Sequence, residues 1–242
     1  MEITAFILIR NINMKVKILR QVAPFSESYW ETFSADVSAD TSIAALIDYL
    51  NYNDDIVDEN GKPTTRIGWE CSCLQGICGS CAMVINGVPS LACETFVRDV
   101  IKDTENGTIT IKPLQKFPVI HDLVIDRSVI FENLKKTSMF IGEYNPSDNK
   151  NKEFEHQYTA SKCLKCGLCL EVCPNYTNGE NFFGALFAND CYIVASRNTE
   201  KRREIKKQYG EHFASGCSKS LSCMDVCPMN IPTIASMAKM NR

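Results

Sequence analysis

Residues 163–174 read Cys163-Leu-Lys-Cys-Gly-Leu-Cys-Leu-Glu-Val-Cys-Pro174, and residues 217–228 read Cys217-Ser-Lys-Ser-Leu-Ser-Cys-Met-Asp-Val-Cys-Pro228. The first is C-x2-C-x2-C-x3-C-P, the spacing at which thiolates hold four-iron clusters. Three of its cysteines ligate one cubane and the fourth reaches across to a second. Such a run predicts a partner run, and the second stretch supplies it. Laid on the same template it departs at one ligand position, where Ser220 stands in place of the middle cysteine. Crosswise ligation gives one cluster Cys163, Cys166, Cys169 and Cys227, a complete 4Fe–4S set. The other receives only Cys173, Cys217 and Cys223. Three thiolates leave one cubane corner without a strong ligand. A serine alkoxide is the alternative for that corner, but serine binds iron less well than thiolate, so the expectation is a 3Fe–4S cluster.

Cys73, Cys78, Cys81 and Cys93 form another group, spaced C-x4-C-x2-C-x11-C. This is the plant-type 2Fe–2S spacing. The loop must wrap tightly over a flat cluster with backbone N–H groups aimed at the sulfurs, and Gly76 and Gly79 are placed to allow the positive φ this demands. A zinc site is the competing reading, but zinc favours paired C-x2-C units and only one such pair is present here. Cys71 is a second candidate for the place of Cys73, although only Cys73 gives the x4 gap. Cys191 reads as a buried structural thiol. Disulfides explain neither the spacings nor the two Cys-Pro endings, and 13 cysteines is an odd number.

Outside the cysteines the chain is ordinary. Its 242 residues are 45% hydrophobic and 23% charged, with a formal net charge of −3 and a pI near 5.7. That balance argues against a generic nucleic-acid binder. Apolar runs such as Ala5–Ile9 fall far short of the roughly 20 residues a membrane span needs. Residues 1–13 show neither a secretory h-region nor a twin-arginine motif, so a cytoplasmic chain is expected. The cysteines lie five in 71–93 and eight in 163–227, with 69 cysteine-free residues between. Residues 1–120 carry 10 Lys and Arg against 15 Asp and Glu, and residues 121–242 carry 16 against 14. Two domains follow.

The first half reads as α+β. Met14, Val16 and Ile18 alternate with Lys15, Lys17 and Leu19, as do Phe33, Ala35 and Val37 with Thr32, Ser34 and Asp36, which predicts two strands. Asp40 or Thr41 is placed to cap a helix carrying Ile43, Leu46, Ile47 and Leu50 at i, i+3, i+4, i+7. Ala82–Ile85 followed by Asn86-Gly87 predicts a hairpin with a type I′ turn. Gly107–Ile111 gives a last alternating strand before Pro113. Strands around one helix, with a cysteine loop after it, fit a β-grasp unit. The second half reads as helical. Phe131, Leu134 and Met139–Ile141 are expected on one helix, residues 142–155 on an exposed polar connection, and residues 197–207 on a charged helix. A solvated face is the plain reading of that last helix, and contact with anionic lipid head groups is the sharper one.

A 2Fe–2S unit followed by a 4Fe–4S/3Fe–4S unit in a chain of this length resembles the iron–sulfur subunit of succinate dehydrogenase and fumarate reductase. The resemblance rests on Cys73-Leu-Gln-Gly-Ile-Cys-Gly-Ser-Cys-Ala-Met-Val-Ile-Asn-Gly87 through Cys93, on Phe117-Pro-Val-Ile-His-Asp-Leu-Val-Ile-Asp126, and on the two runs ending in Pro174 and Pro228. It covers about Met14 to the C-terminus. It implies a plant-type ferredoxin-like β-grasp domain over 14–115 and an all-α bacterial-ferredoxin-like domain over 116–242. Residues 1–13 become an N-terminal extension, with Met14 as the expected start.

The same resemblance implies the role. Electrons pass between the flavin of a separate FAD-containing catalytic subunit and quinone or haem at a membrane anchor, so the chain is expected to sit peripherally on the cytoplasmic side of the cell membrane. The more basic second half suits the end nearer the lipid. Many members carry a tryptophan soon after the Pro174 position, where it helps form a quinone site. Here that stretch is Asn175-Tyr-Thr-Asn178, and Trp30 and Trp69 both lie in the first domain. The departure points to the branch with a dihaem cytochrome b anchor using menaquinone.

No catalytic residue is expected in this chain, and His121, His156 and His212 have no context marking them as bases or ligands. Ser80 and Ser220 are candidate hydroxyl donors to their clusters. The competing function is a freestanding electron carrier feeding a soluble reductase, such as a thiol- or disulfide-linked one. A zinc-stabilised interaction protein is the more distant alternative.

Overall fold

A computed structural model describes residues 11–142 and 153–242. Residues 1–10 and 143–152, and with them most of the expected extension and polar connection, lie outside the described residues. By contact, residues 11–113 and 119–124 make one unit, and residues 114–118 with the described part of 125–242 make a second.

The first unit is built on a five-stranded sheet. Strand β1 (Asn11–Arg20) buries Met14, Val16 and Ile18 on one face, and β2 (Tyr29–Ser38) buries Phe33, Ala35 and Val37. The two pair antiparallel in a register that sets Val16 opposite Phe33. The strand begins at Asn11, where Asn11, Ile12 and Asn13 pair with Ser38, Val37 and Asp36, so the last three residues of the expected extension belong to the sheet. Helix α1 (Ile43–Asn51) buries Ile43, Leu46, Ile47 and Leu50. Its cap is Ser42, whose hydroxyl accepts from the Ala45 N–H at 3.1 Å, in place of the expected Asp40 or Thr41. Those two are otherwise engaged: Asp40 pairs with Arg98, and the Thr41 backbone bonds to Ser38 and Val97.

Strands β3 (Ala82–Ile85) and β4 (Val88–Leu91) form the predicted hairpin, with φ of 47° at Asn86 and 83° at Gly87. The short helix α2 (Val97–Val100) follows, and β5 (Thr108–Lys112) then enters the sheet parallel to β1, giving the order β2-β1-β5-β3-β4.

One buried ion cluster braces the approach to the first cysteine loop. Arg20, 2% exposed, meets Glu31 at 2.5 Å and Asp122 at 3.0 Å and donates to the Thr65 and Arg66 carbonyls. Asp122 in turn accepts from the Gln21 and Gly68 amides. Asn51, at the end of α1, bonds Ile67 through both amide atoms. Residues 65–68 are thus pinned from three directions just before the chain turns into the cysteines.

Passage between the units is spread over residues 113–125. Leu114 and Phe117 are buried within the helical unit, where the Phe117 ring lies 6.2 Å from Tyr176, whereas Asp122 belongs to the sheet unit. Two short strands, β6 (Val119–His121) and β7 (Val124–Ile125), lie on this passage.

The second unit holds α3 (Ser128–Lys136), α4 (Phe154–Ser161), α5 (Leu168–Glu171), α6 (Gly184–Arg197), α7 (Arg202–Tyr209), α8 (Ser222–Asp225) and α9 (Thr233–Met240). Helix α6 is its core, buried from Gly184 through Tyr192 and packed against α4, α5, α7 and α9. Two expectations are corrected. Helix α3 stops at Lys136, short of Met139–Ile141, because Ser138 adopts φ 53° and a Schellman closure forms, with Met139 N–H donating to Leu134 and Ser138 N–H to Lys135. It buries Ile130 and leaves Phe131 exposed. The basic stretch 197–207 is not one helix, since Asn198 is extended and separates α6 from α7. On α7, Ile205 and Tyr209 face the core while Arg202, Arg203, Glu204 and Lys207 are exposed, a solvated face. No helix among the described residues is long and apolar enough to cross a membrane.

Removing the Asp122 carboxylate leaves the Arg20 guanidinium buried with half its charge partners gone. Asp122→Ala is expected to destabilise the sheet unit by about 3–5 kcal/mol, read as a lower urea midpoint for loss of the visible absorption of its cluster.

Candidate metal centres

Between Cys73 and Cys81 the backbone turns left-handed three times, at Leu74 (φ 53°), Gly76 (φ 70°) and Gly79 (φ 81°). These turns point amides at sulfurs. The Gln75 and Ile77 N–H groups donate to Cys73 Sγ at 3.3 and 3.4 Å, and the Gly76 N–H donates to Cys93 Sγ at 3.3 Å. A Cβ at Gly76 would press to 2.8 Å on the Glu94 side chain. Cys81 and Cys93 bring their sulfurs within 3.4 Å of each other from opposite ends of the hairpin. Burial works against the Cys78 thiolate, but hydrogen bonds from the Cys73 and Ser80 backbone and the Ser80 hydroxyl outweigh it and bring that thiol down to about 6. Burial and the Cys81 contact push Cys93 up to about 12. The donor set, acceptor sulfurs ringed by fixed N–H groups, suits a small anionic cluster. Cys71 is exposed, and Ile77 within the loop is 62% exposed.

In the helical unit the cysteines line two separate hollows. One is lined by Cys163, Cys166, Cys169 and Cys227 together with apolar Leu164, Leu168, Leu186 and Ile231. The other is lined by Cys173, Cys217, Cys223 and Ser220, with Phe182, Phe213 and Met237. Each Cys-Pro cysteine therefore faces away from its own run and joins the other's. Among the described residues no three His, Cys, Asp or Glu converge as one metal ion would require.

The two runs fold alike. Lys165 and Lys219, at matching places, have φ of 56° and 59°; Gly167 and Leu221 have φ of 90° and 66°. Each left-handed pair opens a one-turn helix, α5 or α8. The hydrogen bonds repeat as well: Leu170 N–H to Gly167 O and Met224 N–H to Leu221 O, Cys173 to Leu170 and Cys227 to Met224, Tyr176 to Cys173 and Asn230 to Cys227. Ser220 thus occupies the backbone place of Cys166. Gly167 is required twice over, because a Cβ there would also lie 2.9 Å from the Phe117 ring.

Burial disfavours the thiolate at Cys163, Cys166, Cys169 and Cys223. It pushes Cys166 up to about 11 and Cys169, deepest of all and crowded by neighbouring sulfurs, well above the ordinary thiol range. Cys223 is likewise pushed up to about 11 by burial and by Cys173 and Cys217. Such thiols are poor anions alone and good ones beside iron, which displaces their protons. The residues present therefore fit iron–sulfur clusters at all three places.

Sequence reasoning missed the charges set around these loops. Lys165 is ion-paired with buried Asp190 on α6. Arg127 donates to the Cys166 carbonyl and Lys116 to the Cys173 carbonyl. The partners lie 25, 39 and 57 residues apart, and no local pattern links them. The histidines stay outside the hollows: His121 lies against Gly68, His156 contacts Ser236, and His212 stacks on Phe183 at 4.1 Å. Cys191 is fully buried on α6, as expected of a structural thiol.

Comparison with known proteins agrees with this geometry. Residues 15–132 match the model of a 2Fe-2S iron-sulfur cluster binding domain, and residues 159–231 that of a 4Fe-4S dicluster domain. The Bacillus subtilis succinate dehydrogenase iron-sulfur subunit is 31% identical over 234 residues, covering 93% of this chain and 90% of that one. The chain belongs to that family. The fumarate reductase iron-sulfur subunit of Haemophilus influenzae is 30% identical over 238 residues, covering 90% and 88%. In fold, a chain of the Mycobacterium smegmatis Sdh1 complex superposes with a TM-score of 0.75 at 23% identity, over 96% of this chain and 95% of that one. As a succinate dehydrogenase/fumarate reductase iron–sulfur subunit, the chain is an electron-transfer component of an oxidoreductase complex, with 2Fe–2S and 4Fe–4S clusters as its cofactors. The matches favour this subunit over the freestanding carrier.

The paired turns give a test within this subunit. Gly167→Ala is expected to lower both the iron retained and the unfolding midpoint. Leu221→Gly relieves a left-handed strain of about 1–2 kcal/mol against an added chain entropy of about 0.5–1 kcal/mol, so its midpoint should rise slightly with cluster content unchanged. Denaturation followed by cluster absorbance reads both.

Proposed function

We propose that Cys73, Cys78, Cys81 and Cys93 hold the 2Fe–2S cluster, that Cys163, Cys166, Cys169 and Cys227 hold the 4Fe–4S cluster, and that Cys173, Cys217 and Cys223 hold a 3Fe–4S cluster. The observation that carries the reading is the sorting of seven cysteines into two hollows, four in one and three with Ser220 in the other, in the crosswise pattern of a two-cluster fold. When bound, the three clusters relay single electrons between a flavoprotein subunit and a membrane anchor.

The protein's own part is positional and electrostatic. Backbone amides of residues 75–77 orient and stabilise the sulfurs of the first site. Leu164, Leu168, Leu186 and Ile231 keep water from the second. Ser220 offers the third a hydroxyl in place of a thiolate, which leaves one corner without a ligand that retains iron. The partners follow from the family: an FAD-containing catalytic subunit and a membrane anchor against which this chain lies peripherally, on the cytoplasmic face. The stretch after Pro174 supplies no tryptophan, and its Tyr176 is buried among Phe117 and Gly179. A quinone site built on this chain therefore lacks an obvious aromatic, which supports an anchor of the dihaem cytochrome b type serving menaquinone.

Anaerobic iron and sulfide analysis of the purified complex should give about nine irons and ten sulfides per chain in addition to haem iron, with an oxidised 3Fe–4S signal by low-temperature EPR. Ser220→Cys should add about one iron and remove that signal. Ten irons with no oxidised signal in the unsubstituted protein would overturn the three-iron assignment. The anchor reading is tested on the same sample, where a pyridine haemochrome assay should find two haems b per iron–sulfur subunit; a haem-free complex would exclude it.

A further inference from the structure

The matching lysines of the two cysteine runs are treated in opposite ways. Lys219 is exposed at the rim of its hollow. Lys165, in the same left-handed backbone place, turns inward. Its Nζ lies 2.5 and 2.7 Å from the two carboxylate oxygens of Asp190, and its side chain lines the hollow of Cys163, Cys166, Cys169 and Cys227. Asp190 is buried on α6, the best-packed helix of the unit. The ammonium therefore sits at the wall of the four-cysteine hollow, anchored to a buried carboxylate.

We propose that Lys165, held in place by Asp190, sets the reduction potential of the cluster ligated by Cys163, Cys166, Cys169 and Cys227. This rests on the ligand assignment above. Reduction adds one electron to the cluster; no bond forms or breaks, and both side chains keep their protons. The added negative charge appears beside a fixed cation in a poorly screened interior, where charge interactions are several-fold stronger than in water. Lys165 stabilises the reduced state by its field and so raises the potential. Asp190, one contact further out, cuts that field and keeps the ammonium from swinging to solvent. The pair gives the protein two independent settings: removing the cation lowers the potential, and removing the anion while keeping the cation raises it. At the other cluster, exposure leaves the matching charge of Lys219 to be screened by water.

The test is a redox titration of the assembled complex, following the reduced 4Fe–4S EPR signal. Lys165→Met keeps the length of the side chain without its charge and should shift the midpoint downward. Asp190→Asn should shift it upward, and Lys165→Arg should stay near the unsubstituted value. Buried unpaired charge threatens assembly of the single variants. The double variant Lys165→Met/Asp190→Asn leaves neither charge and should still titrate below the unsubstituted protein. Midpoints unchanged in Lys165→Met and in the double variant, with the signal intact, would overturn the proposal. Failure of the ligand assignment reads differently: Cys166→Ser would then leave the 4Fe–4S signal and iron count as they were.

Discussion

The structure depends on forcing the backbone into the left-handed region wherever a ligand loop turns. Thiolates a few residues apart can face one centre only if the chain between them reverses, and an L-residue resists that reversal by about 1–2 kcal/mol. The protein meets the demand with glycine at Gly76, Gly79 and Gly167, and with strained side chains at Leu74, Lys165, Lys219 and Leu221. Strain of this kind persists only where the surroundings over-determine it. In the sheet unit that support is the Arg20–Asp122–Glu31 cluster and the Asn51 amide, which fix residues 65–68 before the loop begins. In the helical unit it is α6, against which both one-turn helices or their neighbours pack.

Turning sulfurs inward creates the second constraint. A crowd of buried thiols cannot ionise unaided, and burial lifts Cys166, Cys169 and Cys223 accordingly. Iron replaces the protons, so cluster assembly and folding are coupled. The fixed donors around each site then balance the remaining anionic charge. At the first site these are neutral amides and the Ser80 hydroxyl; at the second a full cation, Lys165, is brought in. A buried lysine is unfavourable without a partner, which accounts for Asp190. The ion pair is therefore a consequence of placing charge near the cluster, and it adds little stability by itself.

Legibility in the sequence followed the distance over which each constraint acts. Strands β1 and β2, helix α1 and the Asn86-Gly87 hairpin are written in alternation, helical period and turn chemistry, all local, and they stand where those patterns put them. The cysteine groups are equally local. Boundaries were less legible. The cap fell on Ser42 because Arg98, 58 residues away, takes Asp40. Helix α3 ended at Lys136 because Ser138, a residue with no special left-handed preference, turns there. Asn198 broke the basic stretch that its charges alone would join. Arg20–Asp122 and Lys165–Asp190 were invisible, since a buried charge and its partner carry no mark in the linear chain.

The repeat within the helical unit shows which parts of a cluster site are fixed by geometry and which are open to chemistry. Left-handed turns and three of the backbone hydrogen bonds repeat between the runs, yet side chains diverge, among them Cys166 against Ser220, Gly167 against Leu221, and an inward Lys165 against an outward Lys219. Gly167 is held to glycine by the Phe117 ring, whereas Leu221 is 42% exposed. The four-cysteine hollow carries a paired charge at its wall, whereas the three-cysteine hollow is lined by exposed Ser218–Leu221. The fold fixes where sulfur is presented and leaves the charge beside it, and the residue at the fourth position, to single substitutions.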